Sequence, residues 1–255
     1  MPRPRADFQN FQVDHMTVLT DPKMYNVTYL IFRNIFGATP EDIIYNVKKE
    51  WKPGQGEQSL TFATRLGQGS HPKEEFNSTM LALVQPTEPE SEFSHVRKML
   101  QDHQAAFHLQ HIALRTPDLL SFHKHCLERG VRFVTPILKD GQEDLIQVFS
   151  GEWFYPGSIA SAFFFEFVQR EPSKELVQML EERNRETFFR DKTFLGLYGE
   201  KQKEYESGKV TPFVDPALFN QLYDLVGNKK FWEISEKDID IADEMMLEYA
   251  KKNQA

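Results

Sequence analysis

Two strand-like segments of this chain can be written over each other without a gap, and no other feature restricts the fold so tightly. Residues 13–20 read VDHMTVLT and residues 109–116 read LQHIALRT, each with a histidine third and a threonine last. Both run into helix-start signals. Asp21 and Pro22 open a helix that carries Val27, Leu30, Ile31 and Ile35 and stops at Gly37. Thr116 and Pro117 open one that carries Leu119, Phe122 and Cys126 and stops at Gly130. The far ends match as well. Residues 79–86 read TMLALVQP and residues 163–170 read FFFEFVQR, which sets Val84-Gln85 over Val168-Gln169. Between helix and last strand, QSLTFATRL in the first unit and VRFVTPI and DLIQVFS in the second supply short strands. The expected fold is α+β: two tandem βαβββ modules, about 13–86 and 109–170, in a domain over 11–171. The joining segment 87–108 has Phe93, Val96 and Leu100 at helical spacing. After Pro172, amphipathic helices are expected over 173–190 (Leu176, Met179, Leu180), 214–228 and 234–253. They form a helical extension, 172–255, without strand signal, either capping the site or forming an interface.

The overlay decides which side chains correspond. His15 matches His111, and Glu166 matches Ala82. Alternation along a strand puts His15 with Thr17 and His111 with Ala113. Two imidazoles and one carboxylate are the donor set of non-haem Fe(II) oxygenases, which leave positions open for substrate and O2. A lone histidine in a strand is more often a hydrogen-bonded core residue than a ligand. Glu166 is harder to explain that way. It interrupts FFFEFV, and burying a carboxylate there is costly without a cation or hydrogen bonds. His15, His111 and Glu166 are therefore the candidate metal ligands, for Fe(II) at one per chain, although this set also accepts Mn(II), Co(II), Ni(II) or Zn(II). The remaining histidines, at 71, 95, 103, 108, 123 and 125, fit surface or structural roles, since no Cys pair or His-Glu-x-x-His helix accompanies them.

Composition narrows the partners. A net charge of −8 argues against nucleic acid or an anionic membrane. No run approaches the roughly 18 apolar residues of a membrane span. The basic start MPRPRADFQNFQ lacks the apolar stretch of a secretory signal. Cys126 is the single cysteine, so no intrachain disulfide forms; a cytoplasmic location fits, and Cys126 itself reads as core packing. A small molecule and O2 are the expected partners, and a homodimer stays open.

The run LQHIALRTPDLLSFHKHCLERGVRFVTP, then DLIQVFS, then FFFEFVQR, resembles the C-terminal catalytic domain of the 4-hydroxyphenylpyruvate dioxygenases, within the vicinal-oxygen-chelate superfamily. The resemblance begins at VDHMTV and is strongest in the second unit. It implies a two-module barrel opened around iron, with His15, His111 and Glu166 as ligands. It also implies a catalytic, substrate-lining role for Gln147, with Phe149 two residues on and hence on the same face. Departures are specific. Where the family has Pro-x-Asn-Glu-Pro this chain has QPTEPE, putting Thr87 at the substrate-contacting asparagine. The glycine pair before Gln-His-Ile-Ala-Leu becomes Ala105-Ala106, and the C-terminal Gly-Asn-Phe gate is absent.

The expected activity is an Fe(II)-dependent dioxygenase acting on a different α-keto acid or a catechol-like substrate. The alternatives are a non-redox isomerase or lyase of the glyoxalase type, or a non-catalytic small-molecule-binding module. A site that lacks a polar partner discriminates steeply against the substrate that needs it. The iron-loaded protein is therefore expected to turn over 4-hydroxyphenylpyruvate poorly. Homogentisate formation at an ordinary enzymatic rate, roughly 1–10³ per second, would show that these substitutions do not redirect specificity.

Overall fold

The computed structural model describes residues 6–49, 59–66, 79–86, 88–140, 144–183 and 193–253. The first module is β1 (Gln12–Thr20), α1 (Pro22–Asn34), β2 (Ile43–Lys49), β3 (Ser59–Leu66) and β4 (Thr79–Val84). A linking helix, α2 (His95–Asp102), leads to the second module: β5 (Phe107–Arg115), α3 (Leu119–Leu127), β6 (Leu138–Lys139), β7 (Leu145–Glu152) and β8 (Phe164–Arg170). Helices α4 (Lys174–Arg183), α5 (Thr193–Ser207), α6 (Pro216–Val226) and α7 (Glu236–Asn253) follow. Two βαβββ modules with a helical C-terminal extension are thus the architecture. The strand order is β2-β3-β4-β1-β5 in one unit and β8-β7-β6 in the other. Among the described residues no helix is long and apolar enough to cross a membrane. By compactness the chain divides into two units.

One unit is Val13–Leu114 with Lys201–Lys209. Here β1 runs parallel to β4, with His15 opposite Met80 and Thr17 opposite Ala82. Asp21 caps α1 by accepting from the Lys23 N–H at 2.9 Å, and Pro22 stands at the first helical position. Gly37, at φ +71°, follows the helix in the left-handed region that only glycine enters cheaply. Val18 and Leu83 pack against Tyr25, Phe32 and Ala38, with Tyr29, Ile31, Ile43 and Leu81 around them. Each fully buried side chain of this kind contributes roughly 1.5–3 kcal/mol. The helix face differs from the expected one. Tyr25, Thr28 and Phe32 are buried, whereas Val27, Leu30 and Ile35 are exposed, because the sheet selects the stripe that carries the larger rings. β2 fills the one strand place of the first βαβββ module for which the sequence pattern gives no segment, since IIYNVKK has only a short alternating pattern.

The same unit holds a buried polar clamp. Gln202 Oε1 accepts from the His95 N–H at 3.0 Å and from Nδ1 at 2.9 Å, and Gln202 Nε2 donates to the Phe93 carbonyl at 2.9 Å. Lys201, also buried, donates to Glu204 at 2.9 Å. This clamp belongs to α5, the helix the sequence pattern missed. Leu197, Tyr198, Lys201 and Tyr205 are its buried positions, and a lysine within the stripe disguises the apolar periodicity.

The other unit is Met1–Gln12, Arg115–Glu200 and Val210–Ala255. The cap of α3 is Asp118, which accepts from the Ser121 N–H at 3.0 Å, rather than Thr116. Thr116 instead bonds backbone, donating to the Phe8 carbonyl at 2.7 Å. Leu119, Phe122 and Cys126 form the buried face, as expected. Phe122 meets Phe167 edge-on at 4.7 Å, and Phe11 closes on Phe122 at 4.9 Å. VRFVTPI does not form a ladder strand. Only the isolated bridges Val131↔Val214 and Phe133↔Ser150 form there, the second of them to β7, and the continuous ladder with β7 is that of β6, from Leu138. Pro136 lacks the N–H a ladder needs and restricts the residue before it.

The tail is not free of β-pairing either. Glu152 N–H donates to the Thr211 carbonyl at 2.8 Å, Phe213 N–H to Glu152 at 2.6 Å, and Arg132 N–H to Phe213 at 2.8 Å. Gly151 makes that strap possible, since a Cβ there would sit 2.3 Å from the Pro212 oxygen. The expected helices over 214–228 and 234–253 appear as α6 and α7. That over 173–190 is α4 as far as Arg183, and its remainder lies outside the described residues.

Burial, with Lys201 nearby, holds the His95 pKa down to about 4 from an ordinary 6.5. The folded state therefore keeps His95 neutral while the unfolded chain protonates it below about pH 6.5. Unfolding free energy should fall by up to about 3 kcal/mol between pH 7 and pH 4 from this residue alone. Urea unfolding across that range should lose most of this slope in His95→Asn, which retains a donor to Gln202.

Candidate metal centre

His15 and His111 stand on β1 and β5, adjacent strands in the sheet order, inside one compact unit. The rings approach edge to face, with centroids 5.5 Å apart. His111 is buried and His15 partly so. On β1, His15, Thr17 and Leu19 share the face opposite to Val18, which is the side chain that packs toward α1. Parallel pairing of Thr17 with Ala82 keeps Ala82 on the histidine face, so a methyl group stands where the overlay matches Glu166.

Each histidine has its Nδ1 engaged by the residue before it. Asp14 Oδ1 lies 3.0 Å from His15 Nδ1, and Gln110 Oε1 lies 3.2 Å from His111 Nδ1. These two partners were missed in the sequence. The available signal was the second position of the repeat, Asp in VDHMTVLT and Gln in LQHIALRT, a polar oxygen before each histidine.

Glu166 belongs to β8 in the other unit and is 3% exposed. It lies directly opposite Phe149, and Gln147 lies opposite Val168. Directly opposed residues of an antiparallel pair project to the same face, so Gln147 and Phe149 share the face of Glu166. Phe149 packs with Phe164 and with Leu197 of α5. The phenylalanines divide by alternation: Phe164 joins this face, while Phe167 packs against α3 with Phe165 stacked beside it at 6.0 Å. The C-terminal helix that reaches the Glu166 face is therefore α5. By contrast, Leu180 of α4 lines a hollow with Leu120, Lys124 and Leu127 of α3.

His15 and His111 each offer an imidazole nitrogen and Glu166 a carboxylate oxygen, and these three side chains are the candidate metal-binding group. Neutral imidazole and carboxylate oxygen are the donors that divalent first-row metals accept, so the residues present fit such an ion. Among the described residues no other group of this kind occurs. His103 and His108 stack at 4.6 Å, His123 rests on Phe133 at 4.5 Å, and His125 accepts from Arg129 at 3.0 Å. Burial pushes the Cys126 thiol up to about 12, as suits a core residue rather than a nucleophile. Thr87 and His71 lie outside the described residues.

No family model matches the chain, and no curated protein matches it. Among solved structures it is similar to Streptomyces coelicolor methylmalonyl-CoA epimerase in complex with 2-nitronate-propionyl-CoA. Identity is 19%, covering 63% of this chain and 98% of that one, with a TM-score of 0.42. It is also similar to a mutant 4-hydroxymandelate synthase from Streptomyces coelicolor, at 16% identity over 64% of this chain and 50% of that one, TM-score 0.45. Methylmalonyl-CoA epimerase from Mycobacterium tuberculosis matches at 18% identity over 65% of this chain and 91% of that one, TM-score 0.40. Likeness at this level assigns no activity.

If the three candidate donors hold a metal ion, removing any of them should abolish stoichiometric uptake. A ligand is worth more than its hydrogen-bonded support, which itself is worth about 10- to 100-fold. Isothermal titration with Co(II) should therefore show losses beyond about 100-fold for His15→Ala, His111→Ala and Glu166→Gln.

Proposed function

We propose that this protein is a non-haem Fe(II)-dependent dioxygenase, with His15, His111 and Glu166 as its metal ligands and an α-keto acid or catechol-like compound as substrate. The observation that carries this reading is the donor set itself: two imidazoles, one carboxylate, and Ala82 on the histidine face where a fourth ligand would stand. Three protein donors leave coordination positions for a bidentate substrate and O2 together. Bound Fe(II) would supply the electron chemistry and a Lewis-acidic docking point.

The chain's own residues supply the rest. Gln147, 7% exposed, brings an amide to the face of Glu166, able both to donate to and to accept from a substrate oxygen. Phe149, Phe164 and Leu197 make that face apolar, which excludes water and strengthens every polar contact made there. A non-redox isomerase or lyase using the same fold would favour four protein ligands, and Ala82 counts against it.

Anaerobic Fe(II) titration followed by oxygen-electrode measurements with keto acids and catechols tests the proposal. One iron per chain with substrate-dependent oxygen uptake is expected. Iron binding without uptake would favour the isomerase or lyase reading, and no metal binding a sequestering module. Gln147→Ala should lower oxygen uptake by roughly 10- to 100-fold, the scale of a lost polar contact to the reacting substrate. Its iron affinity should stay within about threefold of the parent.

A further inference from the structure

We infer that Asp14 and Gln110 are positioning residues for the two imidazoles, each keeping its histidine's proton on Nδ1 so that Nε2 is the nitrogen presented to the metal. This rests on the metal centre proposed above. The two occupy the same place in the repeat, immediately before the histidine, and each puts a side-chain oxygen on Nδ1, at 3.0 Å from Asp14 and 3.2 Å from Gln110. A carboxylate only accepts, so His15 must donate from Nδ1. The amide of Gln110 is oriented by its other end, because its Nε2 donates to Met99 Sδ at 4.0 Å, which leaves Oε1 for the imidazole. In a neutral imidazole one nitrogen carries the proton and the other a lone pair, so a proton on Nδ1 makes Nε2 the donor atom.

Both acceptors are held out of water, Asp14 at 4% exposure and Gln110 at 1%. Solvent therefore competes little for them, and a wrong tautomer would set two lone pairs against each other. The support is also asymmetric. A carboxylate raises the basicity of the imidazole it holds more than a neutral amide does, which makes His15 the stronger donor of the pair.

The test reads tautomers and affinity separately. Long-range ¹H–¹⁵N correlation spectra of the metal-free protein at pH 8 should show His15 and His111 both protonated on Nδ1. Asp14→Leu and Gln110→Leu should each release the neighbouring ring toward the other tautomer and weaken Co(II) binding by about 10- to 100-fold. Asp14→Asn keeps an acceptor but loses the charge, so it should hold the tautomer and fall between the parent and Asp14→Leu in affinity. It also guards against a leucine variant that fails to fold. A side chain that merely fills space would change thermal stability and leave tautomer and affinity unmoved, and that result overturns the inference. So would finding either ring protonated on Nε2 in the parent protein. If the parent ignored Co(II), the metal centre itself would fall, while the metal-free spectra would still decide the tautomers.

Discussion

Successive side chains of a strand point to opposite faces, and this alternation governs how the molecule separates stability from chemistry. On β1 it sends Val18 toward α1 and His15 away from it. On β8 it sends Phe167 toward α3 and Glu166 to the face of Gln147 and Phe149. A shift of one residue in either strand would bury the candidate donors under a helix and expose the apolar set. Register is accordingly over-determined. Leu83, Tyr25 and Phe32 hold one strand's apolar face, and Phe122, Phe11 and Phe165 the other's.

The faces that carry His15, His111 and Glu166 are not cheap to build. Asp14, Gln110, His111, Gln147 and Glu166 are all buried, and groups of this kind destabilise a fold unless each finds a partner. The partners on Asp14 and Gln110 are the histidines themselves, so the same hydrogen bonds that satisfy buried atoms also fix ring orientation. Apolar helix packing on the opposite faces offsets the expense. A metal ion bound by the triad would stabilise the charged carboxylate further.

Segments far along the chain return to complete each unit. Lys201–Lys209 brings Gln202 to the start of α2, where its one side chain engages two donors of His95 and the Phe93 carbonyl. Residues 211–214 lie along Glu152 and Arg132, admitted by the missing side chain of Gly151. Leu197 sits on Phe149 and Phe164, on the face that carries Glu166. The C-terminal extension is therefore part of both cores rather than an appendage.

The repeat, the order βαβββ twice, and the choice of His15, His111 and Glu166 as candidates were legible in the sequence, because caps, glycine stops and matched strand segments are local signals of short range. Short-range pattern also exposed Glu166, a charge among phenylalanines. What it could not give was any outcome settled by distant partners. The stripe of α1 that faces the sheet, the loss of VRFVTPI as a strand, and the helix over 193–207 each depended on residues far away in the chain. So did the buried Lys201, whose charge hides a helical stripe until Glu204 pairs it within the fold. Asp14 and Gln110 were visible as letters, but their role required knowing that β1 and β5 become neighbours and bring two imidazole rings within 5.5 Å. Local propensity is set by a residue and its near neighbours, whereas burial and hydrogen-bond partnership are set by packing, and only the tertiary structure brings those partners together.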